Sequence, residues 1–117
     1  AGAYRRYERR ALEETVQIYS DVVIATPGGI VSDPASFNEL LSHCTTIWVR
    51  AEPEEHMSRV IAQGDTRPMA ANPEAMDDLR RILDGRAEFY SKADHILDTS
   101  GQTLQQSFAQ LRQLIKL

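Results

Sequence analysis

Residues 21–26 read Asp-Val-Val-Ile-Ala-Thr, a β-branched run with no polar alternation. A strand with one wet face alternates apolar and polar side chains. A run without alternation suits a strand covered on both faces, as in a parallel sheet. Parallel neighbours need a crossover of a dozen residues or more, most often a helix. The rest of the chain is built to supply one: further short apolar runs at about 45–50 and near His95-Ile96-Leu97 are separated by helical patterns. The predicted order is α-β-α-β-α-loop-α-β-α, which implies an α/β domain, three layers α/β/α around a parallel sheet.

The helices are marked by period and by prolines. Residues 4–19 place Tyr4, Tyr7, Leu12, Val16 and Tyr19 at near-helical spacing. Asp33-Pro34 offers an N-cap and an N1 proline for a helix carrying Phe37, Leu40 and Leu41. Pro53 opens a helix with Met57, Val60 and Ile61, and Gly64 is its expected C′ residue. Asn72-Pro73 begins another, whose inward residues are predicted as Met76, Leu79, Leu83, Phe89 and Tyr90. The last helix is expected to bury Leu104, Phe108, Leu111 and Ile115.

Composition narrows the function classes. With 42% hydrophobic and 26% charged residues in 117, the chain reads as one ordinary globular domain, neither disordered nor collagen-like. The apolar run Val22–Ala25 is far short of the ~20 residues a membrane span requires, so no membrane partner is expected. A net charge of −4 argues against direct, sequence-independent nucleic-acid binding. The single cysteine, Cys44, fits a reducing cytoplasm. His43, His56, His95 and Cys44 lack metal-ligand spacing, no G-x-x-x-x-G-K-[ST] loop occurs, and no nucleophile elbow occurs. No catalytic residue and no metal ligand is therefore assigned.

Three constellations remain. Arg5-x-x-Glu8 puts a guanidinium and a carboxylate on one helix face, able to present a fixed cation to an anion, or to form a plain solvated ion pair among Arg6, Arg9 and Arg10. Thr26-Pro27-Gly28-Gly29 follows the first apolar run, where open α/β sheets bind ligands and glycines let backbone N–H groups approach; a tight turn explains it equally well. Arg67, in a polar loop at 65–72, and Arg86, four residues before Tyr90, are either closing cations or surface charge.

Taken in order, Tyr4-Arg5-x-x-Glu8, Gly28-Gly29, Thr66-Arg67-Pro68-Met69, Arg86-x-x-x-Tyr90 and Asp98-Thr99-Ser100 resemble the shikimate kinase family of P-loop small-molecule kinases. The resemblance implies that Arg5 and Arg86 bind a substrate carboxylate and that Glu8 helps place it. It further implies that Gly28-Gly29 lines the substrate pocket and that Arg67 sits in a lid over phosphates. Asp98, Thr99 and Ser100 would border the nucleotide adenine. ATP and Mg²⁺ are the implied cofactors, though the family's phosphate loop and catalytic aspartate lie upstream of Arg5. The chain is thus expected to be the C-terminal part, 1–117, of one such domain, with the P-loop strand belonging between the strands at 21–26 and 45–50. Pro27 stands where the family's glycine triplet begins.

The wording of Asp33-Pro34-Ala35-Ser36-Phe37, Leu41-Ser42-His43-Cys44, His56-Met57, Ala62-Gln63-Gly64-Asp65 and Arg67-Pro68-Met69-Ala70 also looks like the kinase-like domain of benzoyl-CoA-responsive (BoxR-type) helix-turn-helix transcription regulators. That resemblance implies a cytoplasmic sensor of aromatic catabolism. It would bind an anionic aromatic acyl-CoA or a shikimate-like acid, and it would touch DNA only through an upstream domain, with a homodimer left open. This is the leading expectation. A fragment of a shikimate kinase that phosphorylates shikimate with ATP is the alternative, and a small α/β interaction module the third.

Overall fold

The computed structural model describes residues 2–62 and 73–115. The expected C′ residue Gly64, the 65–72 loop with Arg67, and Asn72 lie outside them. The chain divides into two compact units, Ala1–Thr46 and Ile47–Leu117.

The first unit contains helix α1 (Gly2–Ile18), a 3-10 turn (Gly28–Ser32) and helix α2 (Pro34–His43). Pro34 opens α2 at its first helical position, as predicted. Its core is Leu12, Ile30, Val31 and Leu40, with Ser36 fully buried among them. The inward face of α1 is not the predicted aromatic stripe. Arg5, Glu8, Arg9, Leu12 and Val16, at i, i+3, i+4, i+7 and i+11, are the shielded positions, whereas Tyr4, Tyr7 and Tyr19 are more than half exposed. Charged residues can occupy that face because each finds a partner there, as described below.

The segment expected as a strand, 21–26, forms no ladder, and among the described residues its backbone has no hydrogen-bond partner. Val23 is 92% exposed and Val22 47%. A strand exists only through a neighbour's N–H and C=O groups, and this unit holds no other strand.

The second unit is a βαβ arrangement. Strand β1 (Ile47–Arg50) pairs in parallel with β2 (His95–Asp98), Trp48 opposite Ile96 and Val49 opposite Leu97. Helices α3 (Pro53–Ala62) and α4 (Pro73–Tyr90) form the crossover and pack on each other, and α5 (Leu104–Ile115) packs on β2. Met57, Val60 and Ile61 of α3, and Met76, Leu79, Leu83 and Tyr90 of α4, are partly shielded as expected. Phe89 is 40% exposed and does not point inward. Tyr90 instead lies against Trp48, ring centroids 5.5 Å apart.

The register of α5 also differs from the predicted stripe. Thr103 Oγ1 accepts the Gln106 N–H at 3.1 Å and Gln106 Oε1 accepts the Thr103 N–H at 2.8 Å, a reciprocal capping box. Leu104 then falls on the first helical position and is 86% exposed, and Phe108 is 57% exposed, while Leu111 and Ile115 are shielded as predicted, together with Ser107 and Leu114. No helix among the described residues is long and apolar enough to cross a membrane.

Leu97 is 3% exposed and Leu104 86%. Leu97→Ala is expected to cost ~2–5 kcal/mol of stability through lost burial and a residual cavity, and Leu104→Ala within about 0.5 kcal/mol of zero. Urea unfolding of the two variants checks the order, and equal midpoints would contradict the observed register.

Candidate functional site

On α1 the predicted pair is formed. Arg5 Nη1 donates to Glu8 Oε1 at 2.9 Å. It differs from a solvated i,i+3 bridge in one respect: the Glu8 side chain is only 10% exposed, against 32% for Arg5. The other carboxylate oxygen, Glu8 Oε2, is buried and has no hydrogen-bond donor among the described residues. A buried carboxylate oxygen without a donor is costly, which sets Glu8 apart from the solvated pairs on α1.

One turn further on, Arg9 grips Asp33 from 24 residues away. Its Nη2 donates to Oδ1 at 2.8 Å and to Oδ2 at 3.1 Å, and its Nε donates to Oδ2 at 3.2 Å. Ser36 Oγ adds a bond to Oδ2 at 2.7 Å. Asp33 does sit at the N-cap of α2, but its side chain makes no capping bond, because Arg9 and Ser36 occupy its oxygens. The plain reading had left Arg9 on the solvated side. No local signal marks it, since its partner is remote in sequence. The Arg9 guanidinium, with Ser36 second, holds the Asp33 carboxyl below the usual carboxylate range.

Gly28 and Gly29 open the 3-10 turn behind Pro27, whose φ of −61° and ψ of 146° suit proline. Pro27 O accepts the Ile30 N–H at 3.1 Å, and Ile30 O accepts the Asp33 N–H at 3.1 Å. The glycine turn and the Arg5–Glu8 pair thus belong to one unit, joined through Asp33.

In the second unit Arg86 lies half-buried on α4, and the Tyr90 of its motif is the ring packed on Trp48. Asp98, Thr99 and Ser100 end β2 in a bonded turn. Asp98 Oδ2 accepts from Arg50 Nη1 at 2.8 Å and Asp98 Oδ1 accepts the Ser100 N–H at 3.0 Å. Ser100 and Arg50 together lower the Asp98 pKa. Thr99 is buried; its N–H and hydroxyl both donate to Arg50 O, and its own Oγ1 and carbonyl accept from Arg59 at 2.8 and 3.1 Å. Glu55 completes the turn by accepting the Gly101 N–H at 2.8 Å, where Gly101 takes a φ of 70° that favours glycine. Arg59 and Glu55 were not singled out by the sequence, although their i,i+4 spacing was visible. A shallow open groove runs past this turn, lined by Glu54, Glu55, Ser58, Arg59, Gly101 and Gln102. Arg67 lies outside the described residues. Burial pushes the half-buried Cys44 thiol above its ordinary pKa, so it is not an activated nucleophile.

A parallel βαβ unit whose strand β2 ends in a tightly bonded turn defines a class, the layered α/β proteins that bind ligands at strand ends. The comparisons are narrower. The shikimate kinase family model matches residues 1–116. The shikimate kinase of Synechococcus sp. (strain RCC307) is 34% identical over 99 residues, 85% of this chain and 50% of its own length. That of Caldanaerobacter subterraneus subsp. tengcongensis is 30% identical over 115 residues, 97% of this chain and 66% of its own. Among solved structures, the 1.7 Å crystal structure of shikimate kinase from Bacteroides thetaiotaomicron matches with a TM-score of 0.81 at 25% identity, covering 97% of this chain and 68% of that one. The chain belongs to the shikimate kinase family, and its fold is the shikimate-kinase-like α/β fold with a parallel sheet and helices. It spans between half and two thirds of the length of these curated relatives.

The leading expectation of a transcription regulator is overturned. The relatives over most of the chain are shikimate kinases, and nothing connects it to benzoyl-CoA sensing, DNA binding or transcription regulation. The first of the segments that prompted that expectation has a packing explanation. In Asp33-Pro34-Ala35-Ser36, Asp33 holds Arg9, Ser36 donates to Asp33 and Pro34 starts α2, while Leu40 fills the core.

Because the folded protein holds the Asp33 proton more weakly than the unfolded chain does, the ionised group stabilises the fold fully above the ordinary value of ~3.9. That contribution fades as pH falls through the lower folded value. Asp33→Asn is therefore expected to be less stable than wild type at neutral pH, with the gap closing below about pH 4. Urea midpoints measured against pH check this; a gap that is flat down to the acid transition would contradict it.

Proposed function

We propose that this chain is the C-terminal part of a shikimate kinase domain, and that it supplies the acceptor-binding half of a phosphoryl transfer from ATP to a hydroxyl of shikimate. Arg5 binds the acceptor carboxylate, Glu8 orients Arg5 and takes a donor at its second oxygen, and Gly28-Gly29 lines the acceptor pocket. Arg67 covers the phosphates, and Asp98, Thr99 and Ser100 border the nucleotide base.

Family membership supports this reading, and one observation carries the acceptor site: the Arg5–Glu8 pair is turned inward, with Glu8 Oε2 buried and without a donor among the described residues. An inward, preorganised guanidinium suits a planar carboxylate, which it can bind through two parallel N–H donors. The irregular 22–27 segment and the exposed Val22 and Val23 support incompleteness of the layer in this chain, since a β-branched run with no ladder partner is what remains of a buried strand whose neighbour is elsewhere.

ATP and Mg²⁺ are the family's implied cofactors. The sequence has no G-x-x-x-x-G-K-[ST] loop. Among the described residues no group of three or more His, Cys, Asp or Glu is placed to hold a cation. No step is therefore routed through them, and the chain's own residues are assigned to binding and orienting the acceptor.

The test is a coupled assay of ATP consumption on the full-length protein, with and without shikimate. Shikimate-dependent turnover is expected, and its absence would overturn the reading. Arg5→Ala is expected to weaken acceptor binding by ~2–5 kcal/mol, as for truncation of one partner of a desolvated charge pair. Arg6→Ala, on the exposed side of α1, should change it by less than about 0.5 kcal/mol.

A further inference from the structure

The proposed acceptor site has two parts in the first unit, Arg5 with Glu8 on α1 and the Gly28-Gly29 turn, and they come from different stretches of chain. A site of this kind works only if the gap between its parts is fixed to a fraction of an ångström. The ion pair between Arg9 and Asp33 spans them. Arg9 lies four residues beyond Arg5, ~6 Å along the same helix face. Asp33 lies four residues beyond Gly29, at the end of the 3-10 turn that the glycines open, ~8 Å at the rise of such a helix. Arg9 and Asp33 join through both Nη2 and Nε, so the contact fixes orientation as well as distance.

Asp33 is held on every side. Its N–H donates to Ile30 O at 3.1 Å, its carbonyl accepts the Phe37 N–H at 3.0 Å, and its Oδ2 accepts from the fully buried Ser36. The Asp33 side chain is 11% exposed, and Ile30 and Val31 beside it are core residues. A movement of Arg9 would therefore carry α1, and with it Arg5 and Glu8, relative to a rigid turn.

We propose that Arg9 and Asp33 are positioning residues that set the spacing between the Arg5–Glu8 pair and the Gly28-Gly29 turn, and so determine affinity for the acceptor carboxylate. This rests on the reading of Arg5 and Gly28-Gly29 as the acceptor site. Neither residue touches the acceptor. Lysine at position 9 keeps the charge and loses the two-pronged fork; asparagine at position 33 keeps the shape and loses the charge.

The experiment measures KM for shikimate, KM for ATP, kcat and thermal midpoint for the full-length protein carrying Arg9→Lys, Asp33→Asn or Ser36→Ala. Arg10→Ala, whose pair with Glu14 is exposed, is the control. Arg9→Lys and Asp33→Asn are expected to raise KM for shikimate about tenfold or more, with kcat and KM for ATP within about twofold of wild type. Ser36→Ala, which spares the Arg9 contact, should raise it less, and the exchange Arg9→Asp with Asp33→Arg should recover part of the loss. If shikimate KM is unchanged in Arg9→Lys and Asp33→Asn while the midpoint falls, the contact is structural only and the proposal is overturned, with the kinase reading intact. If wild type shows no shikimate-dependent turnover, the kinase reading and this proposal fall together. Should Asp33→Asn fail to fold, Arg9→Lys and Ser36→Ala decide the question alone.

Discussion

Backbone N–H and C=O groups in a sheet must be paired, and a parallel strand finds its partner only across a crossover. That constraint organises the second unit. β1 and β2 match residue for residue from Ile47 with His95 to Arg50 with Asp98, and everything between them in sequence is crossover. The network at the carboxyl end extends the ladder by other means. Thr99 N–H continues the strand bonding to Arg50 O at 2.8 Å, Arg59 caps the Thr99 carbonyl, and Glu55 holds Gly101. The turn is held by polar groups satisfied within the chain. The same constraint explains the 22–27 segment, where β-branched residues lack any ladder and Val23 stands in water.

The first unit has no sheet and depends on a different interaction. Four apolar residues, Leu12, Ile30, Val31 and Leu40, form a small core, and a core of that size fixes orientation weakly, because apolar contact is not directional. Asp33 provides the direction. Its carboxylate binds α1 through Arg9 and α2 through Ser36, while its backbone closes the glycine turn. An ion pair this close to water contributes little as bare attraction. Its value here is geometric: two donors on two acceptors permit a single arrangement.

How much of this was legible follows from how far each signal travels along the chain. The prolines at 34, 53 and 73 each begin a helix where predicted, because proline's fixed φ acts on its own residue. The parallel α/β class was legible because apolar runs and helical periods are local. The inward face of α1 was not, because hydrophobicity favoured Tyr4 and Tyr7, while Arg5 and Arg9 are drawn inward by Glu8 and by the remote Asp33. The face of α5 was missed for a local reason: Thr103 and Gln106 form a capping box that was in plain view, and it sets Leu104 at the helix start. At the candidate site, Arg5 with Glu8 was legible as a spacing. That the pair faces inward, with one oxygen awaiting a donor, was not, since burial depends on what packs above it.

The shikimate kinase relatives displace the regulator reading, and the structure explains why the shared wording misleads. Phrases of sequence around Asp33 and Ser36 pointed toward regulators, yet each residue has a structural task that any protein of this fold could need. A motif whose residues are consumed by packing carries little information about ligand. The residues that do bear on chemistry are those whose polar capacity the fold leaves unspent, and in the first unit that is Glu8 Oε2 beside Arg5. The acceptor proposed above, a hydroxy acid of the shikimate kind, would bring both a carboxylate for Arg5 and a hydroxyl donor for Glu8.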